Sequence, residues 1–169
     1  MRFHQSPSSS ALNDKQQVLA EIRWCVSANV KSKATIRWLL TILVQTTDGH
    51  IRNQAALALG DLRIQEAVPV IIHLLATEAT ATNRGSLLFA LLSLNYCAHL
   101  NAIASQLGSN VYEVLEMTIQ LLEQLPRRLK ARQTREAIRQ LEQLATNAVN
   151  TRYVTQGLRL LKEVTYPKV

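Results

Sequence analysis

Apolar residues recur at the 3.6-residue period of an α-helix along nearly the whole chain. The period predicts helices over about 13–28, 32–46, 49–62, 66–77, 83–95, 98–107, 110–125, 130–147 and 151–164. Asn13, Ser32, Asp48, Asn83, Asn110 and Asn150 stand at or just before their starts, where a short polar side chain can take up an orphan backbone N–H. Pro69 falls in the first turn of its helix, where a missing N–H costs nothing. Residues 1–12, with the run Ser6-Pro7-Ser8-Ser9-Ser10, have no such period and predict a flexible leader to a single domain over 13–169.

Two successive helix pairs superimpose at an offset of 32 residues. Arg52 falls on Arg84, Ala55 and Ala56 on Leu87 and Leu88, Leu57 on Phe89, and Ala58 on Ala90. Leu59 falls on Leu91 and Leu62 on Leu94; in the second helices Val68, Val70, Ile71 and Leu75 fall on Leu100, Ala102, Ile103 and Leu107. A third copy, offset by 31, puts Ile119, Leu121, Leu122 and Leu125 over Leu88, Ala90, Leu91 and Leu94. Fixed-period similarity of this kind marks stacked units, each burying its apolar face on its neighbours. The expected architecture is all-α: a right-handed α-solenoid of about four antiparallel helix pairs. Leu59, Leu62, Ile71, Leu75, Phe89, Leu91, Leu94 and Ile103 are its expected core, Trp24 and Trp38 are expected to pack inside the first pair, and Trp38–Val44 and Leu87–Leu92 read as short core segments.

The stretch from Gly49 to Leu62, with Arg52 and the run Ala55-Ala56-Leu57-Ala58-Leu59-Gly60, followed by Ala67-Val68-Pro69 and a Leu-rich helix, resembles the short HEAT-like repeat of the phycobilisome-lyase type. The resemblance is strongest over 48–76 and weaker over 82–107, where Leu92 replaces Gly60 and Asn101 replaces Pro69, so the second repeat is expected to bend differently. It implies a binding surface, and for Arg52 and Arg84 a place in a polar ladder between repeats. It does not imply lyase activity.

Composition supports helices. Leu (27) and Ala (19) dominate, while five Gly and four Pro are too few for the many tight turns of a β-sandwich. No apolar run approaches the roughly 20 residues of a membrane span. Two cysteines do not make a disulfide framework; Cys25 and Cys97 read as small buried hydrophobes, and a reducing cytoplasm is the expected location. Charge is distributed unevenly. Residues 1–125 hold nine Lys/Arg and nine Asp/Glu, whereas 126–169 hold ten and three, so the whole net charge of +7 belongs to the last helices.

Catalytic patterns are missing. His4, His50, His73 and His99 have no metal-ligand spacing, Cys97 and His99 point apart on a helix, and no two glycines lie within ten residues to cradle a phosphate. Glu113, Glu116 and Glu123 read as a solvated face. The expectation is a non-enzyme without metal or cofactor. The functional candidate is a row of Arg128, Arg132, Arg135 and Arg139, spaced so that each lies within about 40° of Arg128 on one helix face opposite Thr134, Ile138, Leu141, Ala145 and Ala148. Guanidinium rows of this kind meet carboxylates or phosphates. His73, aligned with Ser105 in an otherwise apolar helix, reads either as a structural residue or as a further partner-binding residue that faces the groove. The reading is a protein-binding module whose partner has an acidic surface, acting as a small inhibitor, an immunity-type antidote or an assembly adaptor, without membrane contact. Two alternatives remain: nucleic-acid binding in the manner of HEAT-like DNA glycosylases, and a cofactor-attaching lyase subunit.

Overall fold

Helix ends organise this chain. Ser32 accepts from the Thr35 backbone N–H at 3.1 Å and opens one helix; Asp48 accepts from His50 N at 2.8 Å and Ile51 N at 3.1 Å and opens the next. The structure, a computed structural model, describes residues 15–81, 83–146 and 149–167. Among them are nine α-helices and no strand: α1 (Lys15–Ser27), α2 (Lys33–Gln45), α3 (Gly49–Asp61), α4 (Ala67–Leu75), α5 (Arg84–Leu91), α6 (Leu100–Ala104), α7 (Tyr112–Glu123), α8 (Ala131–Ala145) and α9 (Thr151–Thr165). All nine expected helices are present, trimmed at their ends. The leader, Asn13 and Ala148 lie outside the described residues. Of the other expected caps, Asn83 and Asn150 hold the N-cap position without a side-chain cap bond, and Val111 rather than Asn110 precedes α7.

The helices form two layers. Odd-numbered helices pack in succession, α1 on α3, α3 on α5, α5 on α7 and α7 on α9; even-numbered ones follow as α2, α4, α6 and α8. Burial agrees at the aligned positions of the two repeats: Ala55/Leu87, Ala56/Leu88, Ala58/Ala90, Leu59/Leu91, Leu62/Leu94, Val68/Leu100, Ile71/Ile103 and Leu75/Leu107 are all buried. Ile119, Leu121, Leu122 and Leu125 of the third copy are buried too. An all-α solenoid of stacked helix pairs is therefore the architecture, with α9 closing the odd layer.

Three side chains were expected inside and are not. Phe89 is 50% exposed and Trp24 48%, and Val44, in the run expected to be core, is 57% exposed. Phe89 obeys its repeat position: its partner Leu57 is also only half-buried, so the alignment holds while the expected burial at that position does not. Trp38 is half-buried against the core.

Backbone detail explains where the repeats diverge. Both α1 and α3 end in a Schellman turn, with Val30 N bonded to Cys25 O and Ile64 N to Leu59 O, both at 2.9 Å. The left-handed residues are Asn29 (φ 49°) and Arg63 (φ 55°). Buried Ile64 and Leu59 supply the apolar contact that accompanies this cap. No such turn ends α5, which stops at Leu91 with Leu92 at its cap, and the second helix of that pair shrinks to α6 with 3₁₀ turns at 97–99 and 105–108. Gly60 is the reason α3 and α5 approach closely: a Cβ there would lie 2.6 Å from the Ala90 carbonyl oxygen. The pair in which Leu92 and Asn101 stand for Gly60 and Pro69 is thus shorter than the one before it.

Polar ties run between successive pairs. Arg52, 7% exposed, donates from Nη2 to the Thr46 carbonyl at the end of α2 at 2.6 Å; Arg84 repeats the geometry on Thr77, just beyond α4, at 3.4 Å. Each guanidinium meets the negative end of the preceding helix. Further along, the Tyr96 hydroxyl donates to Leu121 O at 2.6 Å and Asn150 Nδ2 to Ser109 O at 2.7 Å. Burial pushes the Tyr96 phenol up to about 12 from 10. The fold therefore favours the protonated phenol, a contribution present below pH 10 and lost as pH rises through about 12. That shift corresponds to about 2–3 kcal/mol. Denaturant titrations between pH 9 and 12 are expected to show this loss for the wild type and a flatter alkaline limb for Tyr96→Phe.

Candidate partner-binding surface

The arginine row begins one turn later than its spacing suggested. The helix starts at Ala131, so Arg128 lies in the connector between α7 and α8 rather than on the helix, although it is exposed. Arg132, Arg135 and Arg139 are exposed on α8. Opposite them Thr134, Ala137 and Leu141 are buried, with Ile138 and Ala145 half-buried. This two-sidedness follows from the sequence, which places polar residues on one flank of α8 and the packing residues toward α6 and α9. Arg139 is held by Glu136 at 2.7 Å, one turn back. Lys162 of α9 takes Glu142 at 2.8 Å. Among the described residues Arg132 and Arg135 have no ion-pair partner, which leaves two unneutralised guanidinium groups on the end of the even layer.

His73 is exposed on α4 in the same layer. It does not join the arginines: α6 lies between α4 and α8, two helix spacings or about 20 Å. The layer presents the two features separately.

Spacing arguments missed two other places. The first is a groove of about 560 Å³ in the even layer, lined by Lys33, Ile36, Arg37, Leu40, Thr41, Val44, Gln45 and Glu66. A signal existed: α2 is apolar on more of its circumference than one buried face requires. The second is a polar recess of about 580 Å³ between α7 and α9 in the odd layer, lined by Tyr112, Glu116, Glu123, Arg152, Tyr153 and Gln156 among others. There the Tyr153 hydroxyl donates to Glu116 Oε1 at 2.6 Å, and the Tyr112 and Tyr153 rings meet edge to face, 6.4 Å apart at 82°. The hydrogen bond from Tyr153, then one from Tyr112, holds the Glu116 carboxyl below its usual range; the same bond pushes Tyr153 up to about 12. Gln156 Nε2 reaches Glu123 at 3.2 Å. These bonds join α7 to α9, the junction where no arginine continues the Arg52 and Arg84 ties, so the glutamates act in packing as well as solvation.

Cys25 is buried on α1 and Cys97 half-buried; burial raises the pKa of both thiols. Among the described residues no group of three His, Cys, Asp or Glu is placed to hold a metal ion. None of the described helices is long and apolar enough to cross a membrane.

A family model of HEAT repeats matches residues 10–92, from the leader through α5. No curated protein and no solved structure matches the chain. The match reaches further toward the N-terminus than the likeness visible in the residues, and the helices beyond α5 extend the same two layers without a break. Over residues 10–92, which hold Arg52, Arg84 and the close Gly60 contact, the chain is similar to the HEAT-repeat family, and the stacked helix pairs continue beyond them.

Proposed function

We propose that the chain is a non-catalytic protein-binding module whose partner presents an acidic surface, in the manner of a small inhibitor, an immunity-type antidote or an assembly adaptor. The observation that supports this most is the unneutralised pair Arg132 and Arg135 on α8, in a basic C-terminal part that follows 125 residues of balanced charge. Guanidinium groups that keep their full hydrogen-bonding fork in water are free to take carboxylates bidentately. HEAT repeats commonly serve as interaction modules, and an all-helical stack offers long lateral faces for that purpose. The two free thiols suit a reducing cytoplasm, where we place the protein.

The test is a pull-down from source lysate with and without nuclease, repeated with Arg132→Glu/Arg135→Glu. A protein retained by the wild type after nuclease treatment, and depleted with the double variant, is the expected result. Loss of all bound material on nuclease treatment would move the assignment to nucleic acid.

A further inference from the structure

We propose that the groove along α2, bordered by Glu66 ahead of α4, is the docking site for an acidic amphipathic helix, a proposal that rests on the protein-binding reading above and places a second contact at the other end of the same layer. Helix α2 carries two apolar stripes. Thr35, Leu39, Ile42 and Leu43 face the core and are buried; Ile36, Leu40 and Val44, at i, i+4 and i+8, line the groove. Ile36 and Leu40 are half-buried, and Val44 is among the most exposed large hydrophobic residues of the chain. Ile36 and Leu40 pack one side against the core, and no residue of α4 lines the groove, so the outer side of the row has no α4 side chain against it.

The chemistry of the rim selects the occupant. Lys33 and Arg37 stand one turn apart beside the apolar row, both exposed. Among the described residues neither has an ion-pair partner. Glu66, before α4, is the only carboxylate among the lining residues. An apolar row about 12 Å long matches the anchors that two turns of a helix present, with acidic side chains beside them to meet Lys33 and Arg37. A second copy of this chain fits poorly: its own strongly amphipathic helices α8 and α9 expose Arg132, Arg135, Arg152 and Arg159, which the rim would repel.

The test uses a labelled three-turn helical peptide with Leu at i, i+4 and i+7 flanked by Glu, its counterpart with Lys in place of Glu, and fluorescence anisotropy with the full chain. The Glu peptide is expected to bind saturably and at least about tenfold more tightly than the Lys peptide. Val44→Asp, and separately Lys33→Glu/Arg37→Glu, should each weaken it by about tenfold or more, whereas Arg132→Glu/Arg135→Glu should leave it within about twofold. Because these side chains are exposed, the variants should melt with the wild type, which a thermal scan checks. Equal affinity for the two peptides, binding unaffected by Val44→Asp, or no saturable binding would overturn the proposal. None of those results touches the lysate experiment, which fails or succeeds through the arginine pair.

Discussion

Leu59→Ala is expected to lower the free energy of unfolding by about 2–5 kcal/mol, while Phe89→Ala, which removes a larger side chain, should cost about 1 kcal/mol or less. Leu59 has no exposed surface and belongs to the core between repeats. Its truncation leaves a void that the rigid helix pairs cannot close. Phe89 stands outward from α5 with half its surface already in water, so its removal returns little area to solvent. Urea denaturation of both variants checks the order. A larger loss for Phe89→Ala than for Leu59→Ala would mean that the odd layer packs in a different register.

The second large effect concerns Gly60. In an ordinary helix interior, Gly→Ala gains roughly 1 kcal/mol from helix propensity. Here the added Cβ would meet the Ala90 carbonyl oxygen at 2.6 Å and its Cα at 3.1 Å, and both are backbone atoms that cannot swing aside. The α3–α5 contact must open, so Gly60→Ala is expected to destabilise by about 1–3 kcal/mol in spite of its propensity. Gly157→Ala makes a useful contrast. Its Cβ would meet the ends of the Leu107, Leu141 and Leu122 side chains, which can change rotamer, so its cost should be smaller. A stabilised Gly60→Ala would show that the two helices stand further apart than the structure places them.

Much of this fold can be read from residue order because every unit repeats the same burial. A period-3.6 pattern located all nine helices, and the 32-residue offset paired positions whose burial agrees, Leu59 with Leu91 and Ile71 with Ile103. What the pattern could not distinguish was an apolar residue facing a neighbour from one facing water. Phe89 and Val44 are both apolar at helical spacing, and only the position of the next helix decides their exposure. For the same reason the groove beside α2 escaped notice: Val44 has the helical spacing of a core residue, yet it lies on an open flank of α2. The arginine row was legible from its spacing along α8, and so was the helix start: the expected window of 130–147 already leaves Arg128 ahead of the helix that begins at Ala131. Contacts between distant segments, such as Tyr153 with Glu116, leave no trace in local periodicity.

We propose that an acidic protein meets this stack through Arg132 and Arg135. The most direct measurement is the association rate of the captured partner with wild type and with Arg132→Glu/Arg135→Glu, each at low and at physiological salt. Exposed charges attract over about a Debye length and act chiefly on the encounter. The account predicts a wild-type on-rate that falls steeply with salt, and a double variant of unchanged stability, within about 0.5 kcal/mol, that associates more slowly and with little salt dependence. Equal on-rates for the two proteins at low salt would contradict it.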